Sequence, residues 1–270
     1  MPKTIVITGS SSGIGKQTAI QFANEGWNVI ATMRSPEKEK ELLDYSNIKL
    51  LSLDVSDNKS VEKAIKEIIE EYKVIDVLVN NAGYGVDGVF EEISDEEIEK
   101  QFNTNVFGLM RVTRAVIPHM RERKSGTIIQ IASMGGKITF PLYSIYHSTK
   151  WAVEGFSESL QFELNQFNIK IKIIEPGKIK TEFYAKNRKK IESKILDYQE
   201  FIDKCEKASH DPKSSGVDPK NVARTIYDAA IEESNRLRIA VGYPAPQLLF
   251  FRKLLPESWF LKIIRIVFKI

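Results

Sequence analysis

Seven short runs of apolar, largely β-branched residues recur along the chain, at 3–9, 27–33, 48–55, 75–83, 126–133, 169–177 and 236–242. Each has the length and composition of a buried strand. Between them the apolar positions fall three and four residues apart, the spacing of a helix with one buried face. Such a helix is predicted from Ile14 to about Glu25, where Gly26 can end it. A charged helix follows Pro36, and another, capped by Asp57, runs to Tyr72. Ser94 and Glu97 form a capping box that opens a long helix reaching about Glu122. A helix from about Ser144 to Phe167 and one after Asp218-Pro219 complete the set. Strands apolar on both faces, separated by helices, predict an α/β fold with a parallel sheet covered on both sides. No Pro/Gly/Ser linker divides the chain and no repeat is visible, so residues 1–242 read as one domain.

Two stretches depart from this rhythm. Residues 182–217 are highly charged and read either as a cover over a site or as a solvated helical excursion. Residues 243–270 run on past the last strand. There Phe260, Ile263, Ile264, Val267 and Phe268 recur at helical spacing, while Lys262, Arg265 and Lys269 mark another face. Three readings of this basic amphipathic helix stand side by side: it packs on its own domain or a partner subunit, it lies on a membrane surface, or it closes a substrate entrance.

Composition narrows the classes. A chain of 270 residues, 42% hydrophobic and 28% charged, has the balance of a soluble globular protein with a sizeable core. A net charge of +3 is too mild to be a nucleic-acid footprint. The single Cys205 excludes an intrachain disulfide and a Cys-rich zinc site, and His119, His147 and His210 have no metal-ligand spacing, so no metal is expected. The beginning of the sequence reads as a strand and not a signal peptide, and no apolar stretch is long enough to span a bilayer. A reducing, cytoplasmic setting fits.

The candidate chemistry gathers at strand ends, where sheets of this kind bind ligands. Gly9, Gly13 and Gly15, in TGSSSGIG, join the first strand to the first helix. Glycines there permit a tight turn and close backbone approach, and the helix N-terminus offers N–H groups to a pyrophosphate. The bland alternative is a purely structural turn. Absence of a following Lys-Ser/Thr pair excludes a P-loop. Asp54 and Val55 close the third strand, Asn81-Ala82-Gly83 the fourth, Ser133 the fifth, and Pro176-Gly177 the sixth. Tyr146 and Lys150 share one face of a predicted helix as an i, i+4 pair. Tyr45 and Lys49 repeat that spacing, but Tyr45 lies before the third strand with none of these neighbours, and the pair reads as a surface coincidence.

Taken together, TGSSSGIG, Asp54, NNAG, Asn105 in NTNVFG, Ser133, Tyr146-x-x-x-Lys150 and Pro176-Gly177 with Thr181 resemble the short-chain dehydrogenases/reductases, over about residues 3–242. The resemblance implies a doubly wound Rossmann fold with a seven-stranded parallel sheet, and reversible hydride transfer between a nicotinamide and a carbonyl or alcohol. It implies that Tyr146 exchanges the proton on the substrate oxygen, that Ser133 hydrogen-bonds that oxygen, and that Lys150 lowers the tyrosine's pKa and bonds the cofactor ribose. Asn105 would hold a water linking Lys150 to solvent. By the same resemblance Gly9, Ser11, Ser12, Gly13, Ile14, Gly15, Arg34, Asp54, Val55, Asn81, Ala82, Gly83, Pro176, Gly177, Ile179 and Thr181 line the cofactor. His147, between tyrosine and lysine, is read as a bystander.

In NAD-preferring members an acid ends the second strand; here the slot is Met33, followed by Arg34. An arginine can hold a 2′-phosphate, so NADP(H) is expected. Met134, Phe140, Tyr143 and Phe183 are expected around the reacting carbon, with Leu142 and Tyr184 nearby, which suggests a lipophilic substrate. Similar tails occur in members resembling 17β-hydroxysteroid and retinol dehydrogenases. Members of the family commonly form homodimers or homotetramers through the helices corresponding to 95–122 and 144–167. A catalytically silent, dinucleotide-binding regulator on the same fold is the alternative to a carbonyl reductase or alcohol dehydrogenase.

Overall fold

The computed structural model of the protein describes residues 2–180, 188–209 and 216–270. Seven strands form one parallel sheet: β1 (Thr4–Thr8), β2 (Asn28–Met33), β3 (Ile48–Ser52), β4 (Val77–Asn80), β6 (Gly126–Ile131), β7 (Ile169–Pro176) and β9 (Arg238–Val241). Their order is β3-β2-β1-β4-β6-β7-β9, with every pairing parallel. The chain therefore winds outward in one direction from β1 and in the other from β4. This reversal between β1 and β4 opens a crevice at their carboxyl ends.

The central strands are apolar throughout because both faces are covered. On one face α1 (Gly13–Asn24) and α7 (Pro219–Ile231) pack Phe22, Val222 and Ile226 against Ile5, Ile7 and Val79. On the other, α2 (Asn58–Tyr72), α4 (Leu109–Arg123) and α5 (Ser144–Leu164) bring Ile65, Val112, Val116 and Leu160 onto Val6, Leu78 and Ile128.

Several boundaries and types differ from the sequence reading. After Pro36 there is no helix of length but two 3₁₀ turns, Pro36–Lys38 and Glu41–Asp44. Buried Glu39 lies between them and accepts the N–H groups of Glu41 and Leu42, which ends one turn and starts the other. The long helix opened by Ser94 divides into α3 (Asp95–Phe102), a π-helical turn over Asn103–Gly108, and α4. A second sheet went unpredicted: β5 (Gly85–Asp87) pairs in parallel with β8 (Arg188–Lys190), pinned by a bidentate ion pair between Asp87 and Arg188. Tyr45 packs partly against the core and Lys49, within β3, pairs with Glu67 and Glu71, so both are partly buried rather than free on the surface.

Of the segment 182–217, the described part includes α6 (Gln199–Ser209). Two last helices, α8 (Ala245–Leu254) and α9 (Glu257–Phe268), follow β9. Phe260, Ile264 and Phe268 of α9 are buried in a cluster with Ile138 and Cys205, against which Met134, Phe140 and Leu142 also pack. The inner face of the tail thus covers the protein's own chain beside the β6–α5 connection. Ile263 and Val267, grouped with that face by spacing alone, are exposed. Among the described residues no helix is long and apolar enough to cross a membrane.

Candidate active site

The glycine-rich turn sits in the crevice because only glycine fits there. Gly9 and Gly13 have φ of 68° and 54°, in the left-handed region. A Cβ on Gly9 would stand 2.8 Å from the Cα of Ala82, and one on Gly15 would collide with the Asn81 amide and the Gly9 carbonyl. The close approach is held by Asn81 Nδ2, which donates to the carbonyls of Thr8 at 3.0 Å and Gly9 at 2.9 Å. Thr8 Oγ1 accepts in turn from the N–H groups of Asn81 at 3.0 Å and Ala82 at 3.1 Å. The ends of β1 and β4 are thereby laced together, and Asn81 and Ala82 act as structural partners of the turn. Ser12 precedes α1 without a side-chain cap, and no acid lies in its first turn. The positive end of that helix is left for an anion.

Along the crevice, Arg34 lies exposed just past β2, with its carbonyl accepting from Ser52 Oγ at 3.4 Å. Asp54 Oδ1 accepts from the Ser56 N–H at 2.8 Å and the Ser56 hydroxyl at 2.6 Å, so this carboxylate shapes its own turn. Val55 is pressed against Gly108, where a Cβ would come within 2.7 Å of Val55 Cγ2.

Asn105 lies in the π turn, 2% exposed. Its Oδ1 accepts from the N–H of Tyr84 at 3.0 Å, and its Nδ2 donates to the Tyr84 carbonyl at 2.8 Å and to Thr149 Oγ1 at 3.1 Å. Thr149 in turn donates to the carbonyl of Tyr146 at 2.7 Å. The side chain of Asn105 thus bridges the strand end after β4 to α5, with both amide hydrogens in use.

Ser133 follows β6 and caps a 3₁₀ turn, accepting from the N–H of Gly135 at 3.0 Å. Its hydroxyl hydrogen remains available to donate. Gly135 is where this turn meets α5: a Cβ there would stand 2.6 Å from His147 Cδ2 and 3.4 Å from Ser133 Oγ. His147 is buried, accepts the N–H of Phe140 on Nδ1 at 3.3 Å, and is pushed by burial down to about 4. It is a neutral packing group that fixes the turn. Lys150, 8% exposed, donates its ammonium to the Ile131 carbonyl at 2.8 Å and lies 5.9 Å from the centre of the Tyr146 ring. Burial lowers its pKa to about 8, with Glu154 opposing the fall.

Sequence reasoning missed what stands behind Lys150. Glu154, one turn further along α5 and 1% exposed, accepts from Arg238 Nε at 2.8 Å and pairs with Lys137 at 3.8 Å. Burial, and then Glu154 beside it, push Glu175 of β7 up to about 7. The i, i+4 relation of Lys150 to Glu154 was the one available signal.

Gly177 lies against the chain after β9, where a Cβ would stand 2.8 Å from the Tyr243 carbonyl oxygen. Ile179 bridges in parallel to Val217, 6% exposed. Thr181 and Phe183 lie outside the described residues. Met134 and Phe140 are partly buried in the cluster under α9, with the Phe140 and Phe268 rings 5.8 Å apart. Tyr143 stacks beneath the Arg188 guanidinium at 5.3 Å.

Switch-point crevice, glycine cradle and uncapped helix end fit a dinucleotide and define an α/β dinucleotide-binding protein. The model of the short chain dehydrogenase family matches residues 3–192. The chain belongs to the short-chain dehydrogenase/reductase family and is an oxidoreductase of that family. It is 35% identical over 259 residues to a 3-ketodihydrosphingosine reductase of Bacteroides thetaiotaomicron, covering 96% of this chain and 93% of the relative. It is 40% identical over 195 residues to human retinol dehydrogenase 8, covering 68% of this chain and 61% of that one. Among solved structures, a short-chain dehydrogenase from Streptomyces avermitilis superposes with a TM-score of 0.84 at 35% identity, covering 93% of this chain and 92% of the other. ElxO with NADP bound superposes with a TM-score of 0.75 at 34% identity, covering 89% and 98%.

Proposed function

We propose that the protein interconverts a lipophilic ketone or aldehyde and its alcohol, using NADP(H). The observation that carries this reading is the buried ammonium of Lys150, fixed on Ile131 and 5.9 Å from the Tyr146 ring. A free tyrosine, with a pKa of about 10, is too weakly acidic to exchange protons readily near neutrality. A cation beside it stabilises the phenolate and brings that value down.

NADP(H), when bound, supplies or accepts the hydride. The chain's own residues do the rest. In reduction, Tyr146 gives its phenolic proton to the substrate oxygen as the carbonyl carbon gains hydride; in oxidation the phenolate takes that proton back. Ser133, already an acceptor towards Gly135, donates to the same oxygen and orients it. Lys150 holds the charge that makes the tyrosine exchangeable. Asn105 holds Tyr84 and Thr149, and through Thr149 the turn of α5 that carries Tyr146. The turn over 9–15 and the first turn of α1 would receive the pyrophosphate, Asp54 and Val55 would flank the adenine, and 176–180 would run along the nicotinamide side.

Arg34, exposed past β2 with no acid at position 33, supports recognition of a 2′-phosphate, as does the NADP in the similar ElxO structure. The apolar cluster of Met134, Phe140 and Leu142 supports a lipophilic substrate, in keeping with the names of the Bacteroides and human relatives. Phe107, Trp151 and Phe162, exposed on the π turn and α5, support self-association there. The test is a panel of ketones and aldehydes followed by NADPH oxidation, with Tyr146→Phe as control. Turnover that the control abolishes supports the reading; NADPH binding without turnover of any substrate would leave a silent binder.

A further inference from the structure

Helix α9 is apolar over far more of its circumference than the protein covers. At about 100° per residue, Phe260, Ile264 and Phe268 occupy an arc of about 80°, and these three are buried. The adjoining arc of about 100° holds Ile266, Trp259, Ile263 and Val267, which are 67%, 65%, 43% and 55% exposed. Lys262 and Arg265 fall in a third sector beyond that apolar flank, with Lys269 just past the helix end. Helix α8 adds Phe250, Phe251 and Leu254, each half exposed or more.

The charge is one-sided. Residues 243–270 carry Arg252, Lys253, Lys262, Arg265 and Lys269 against the single acid Glu257, which is already paired with Arg252 at 2.7 Å. That surplus exceeds the whole chain's net charge of +3, so the rest of the protein is close to neutral and slightly acidic. Exposed aromatic and aliphatic side chains flanked by cations match a surface that is apolar beneath and anionic at its rim. A second copy of the chain would meet this face with the same cations across a two-fold axis, like charge opposing like.

We propose that the outer face of α8 and α9 docks on an anionic lipid bilayer, with α9 lying in the plane of the interface. Insertion is shallow, because a helix of 12 residues is about 18 Å long, short of the roughly 30 Å hydrocarbon core. Trp259 and Ile266 enter the acyl boundary while Lys262, Arg265 and Lys269 meet lipid phosphates. The same helix covers Met134 and Phe140 with its inner face, so docking brings that side of the protein to the membrane.

The test is flotation of the full-length protein with vesicles of phosphatidylcholine alone and of phosphatidylcholine with phosphatidylglycerol. Binding is expected to the anionic vesicles, to weaken in high salt, and to be accompanied by a blue shift of tryptophan emission that Trp259→Phe removes. Each cation removed should weaken binding about fivefold, so Lys262→Gln with Arg265→Gln should cost roughly 25-fold. Ile266→Glu should abolish binding. All four changes are on exposed positions, and circular dichroism and melting should show the variants folded. The proposal is overturned if the native protein floats with neither vesicle, or if the folded variants float as well as it does. It is equally overturned if Ile266→Glu dissolves a dimer of a protein that binds no lipid, since a second copy would then be the occupant.

Discussion

Lys150 donates its ammonium to the carbonyl oxygen of Ile131, tying α5 to the last residue of β6. The bond fixes where the charge stands, and burial fixes how readily it is lost, at about pH 8. Below that value Lys150 is charged and can support Tyr146; above it the support goes. The rate of ketone reduction, followed as kcat/KM, should therefore hold up to about pH 8 and fall beyond it. Lys150→Arg, whose guanidinium does not titrate there, should move the fall upward. A native profile flat through alkaline pH would remove Lys150 from this role.

Replacing Tyr146 by Phe deletes one hydroxyl from a partly buried ring. Turnover should drop about 10²- to 10⁴-fold, the usual worth of a positioned proton donor. NADPH binding, measured by fluorescence titration, should change little. Joint loss of both would point to misfolding.

Arg34→Ala should weaken NADPH binding about 10- to 100-fold, the loss of one charge-assisted contact to a phosphate. NADH binding should be nearly untouched. Equal effects on the two cofactors would show that Arg34 is only a solvated charge past β2.

Gly15→Ala places a methyl group against the Asn81 amide and the Gly9 carbonyl. Relief requires the ends of β1 and β4 to part, at a cost of about 1–3 kcal/mol. A lowered Tm together with loss of dinucleotide binding is expected; an unchanged Tm would mean that the two strand ends separate freely.

Glu175 is a carboxyl raised to about 7 by burial beside Glu154. The unfolded chain releases this proton near the ordinary glutamate value, about 4.3, whereas the folded chain keeps it. The contribution to stability is present below that ordinary value and is lost as pH rises through 7. Unfolding in urea at pH 5 and pH 7.5 should show a decline of about 2–3 kcal/mol at most from this group. Glu175→Gln should flatten that decline, and an equal slope in the variant would place its source elsewhere.

The sheet was legible because its strands are apolar on both faces, and the crevice because its glycines, NNAG and Ser133 all stand at strand ends. The π turn at Asn105 was not. A π turn differs from an α turn by one residue of hydrogen-bond register, and the side-chain pattern of NTNVFG carries no mark of it. The β5–β8 sheet was hidden for another reason: its strands are three residues long and lie a hundred residues apart. The ion pair of buried Glu154 with half-buried Arg238 likewise joins α5 to β9 across a distance that local spacing does not report. Tyr45 misled because a polar-looking stretch, DYSNIKL, still buries part of one ring against the core.

Because α9 carries Phe260, Ile264 and Phe268 into the cluster beside Met134 and Phe140, the tail cannot be treated as a detachable appendage. Cutting it off to make the protein easier to handle would strip the wall from that cluster and expose oily surface prone to clumping. A shortened protein that lost both lipid attachment and activity would say nothing about whether the two are linked. Only exchanges on the outward side, at Ile266 or Lys262, leave the wall standing while changing what it leans on.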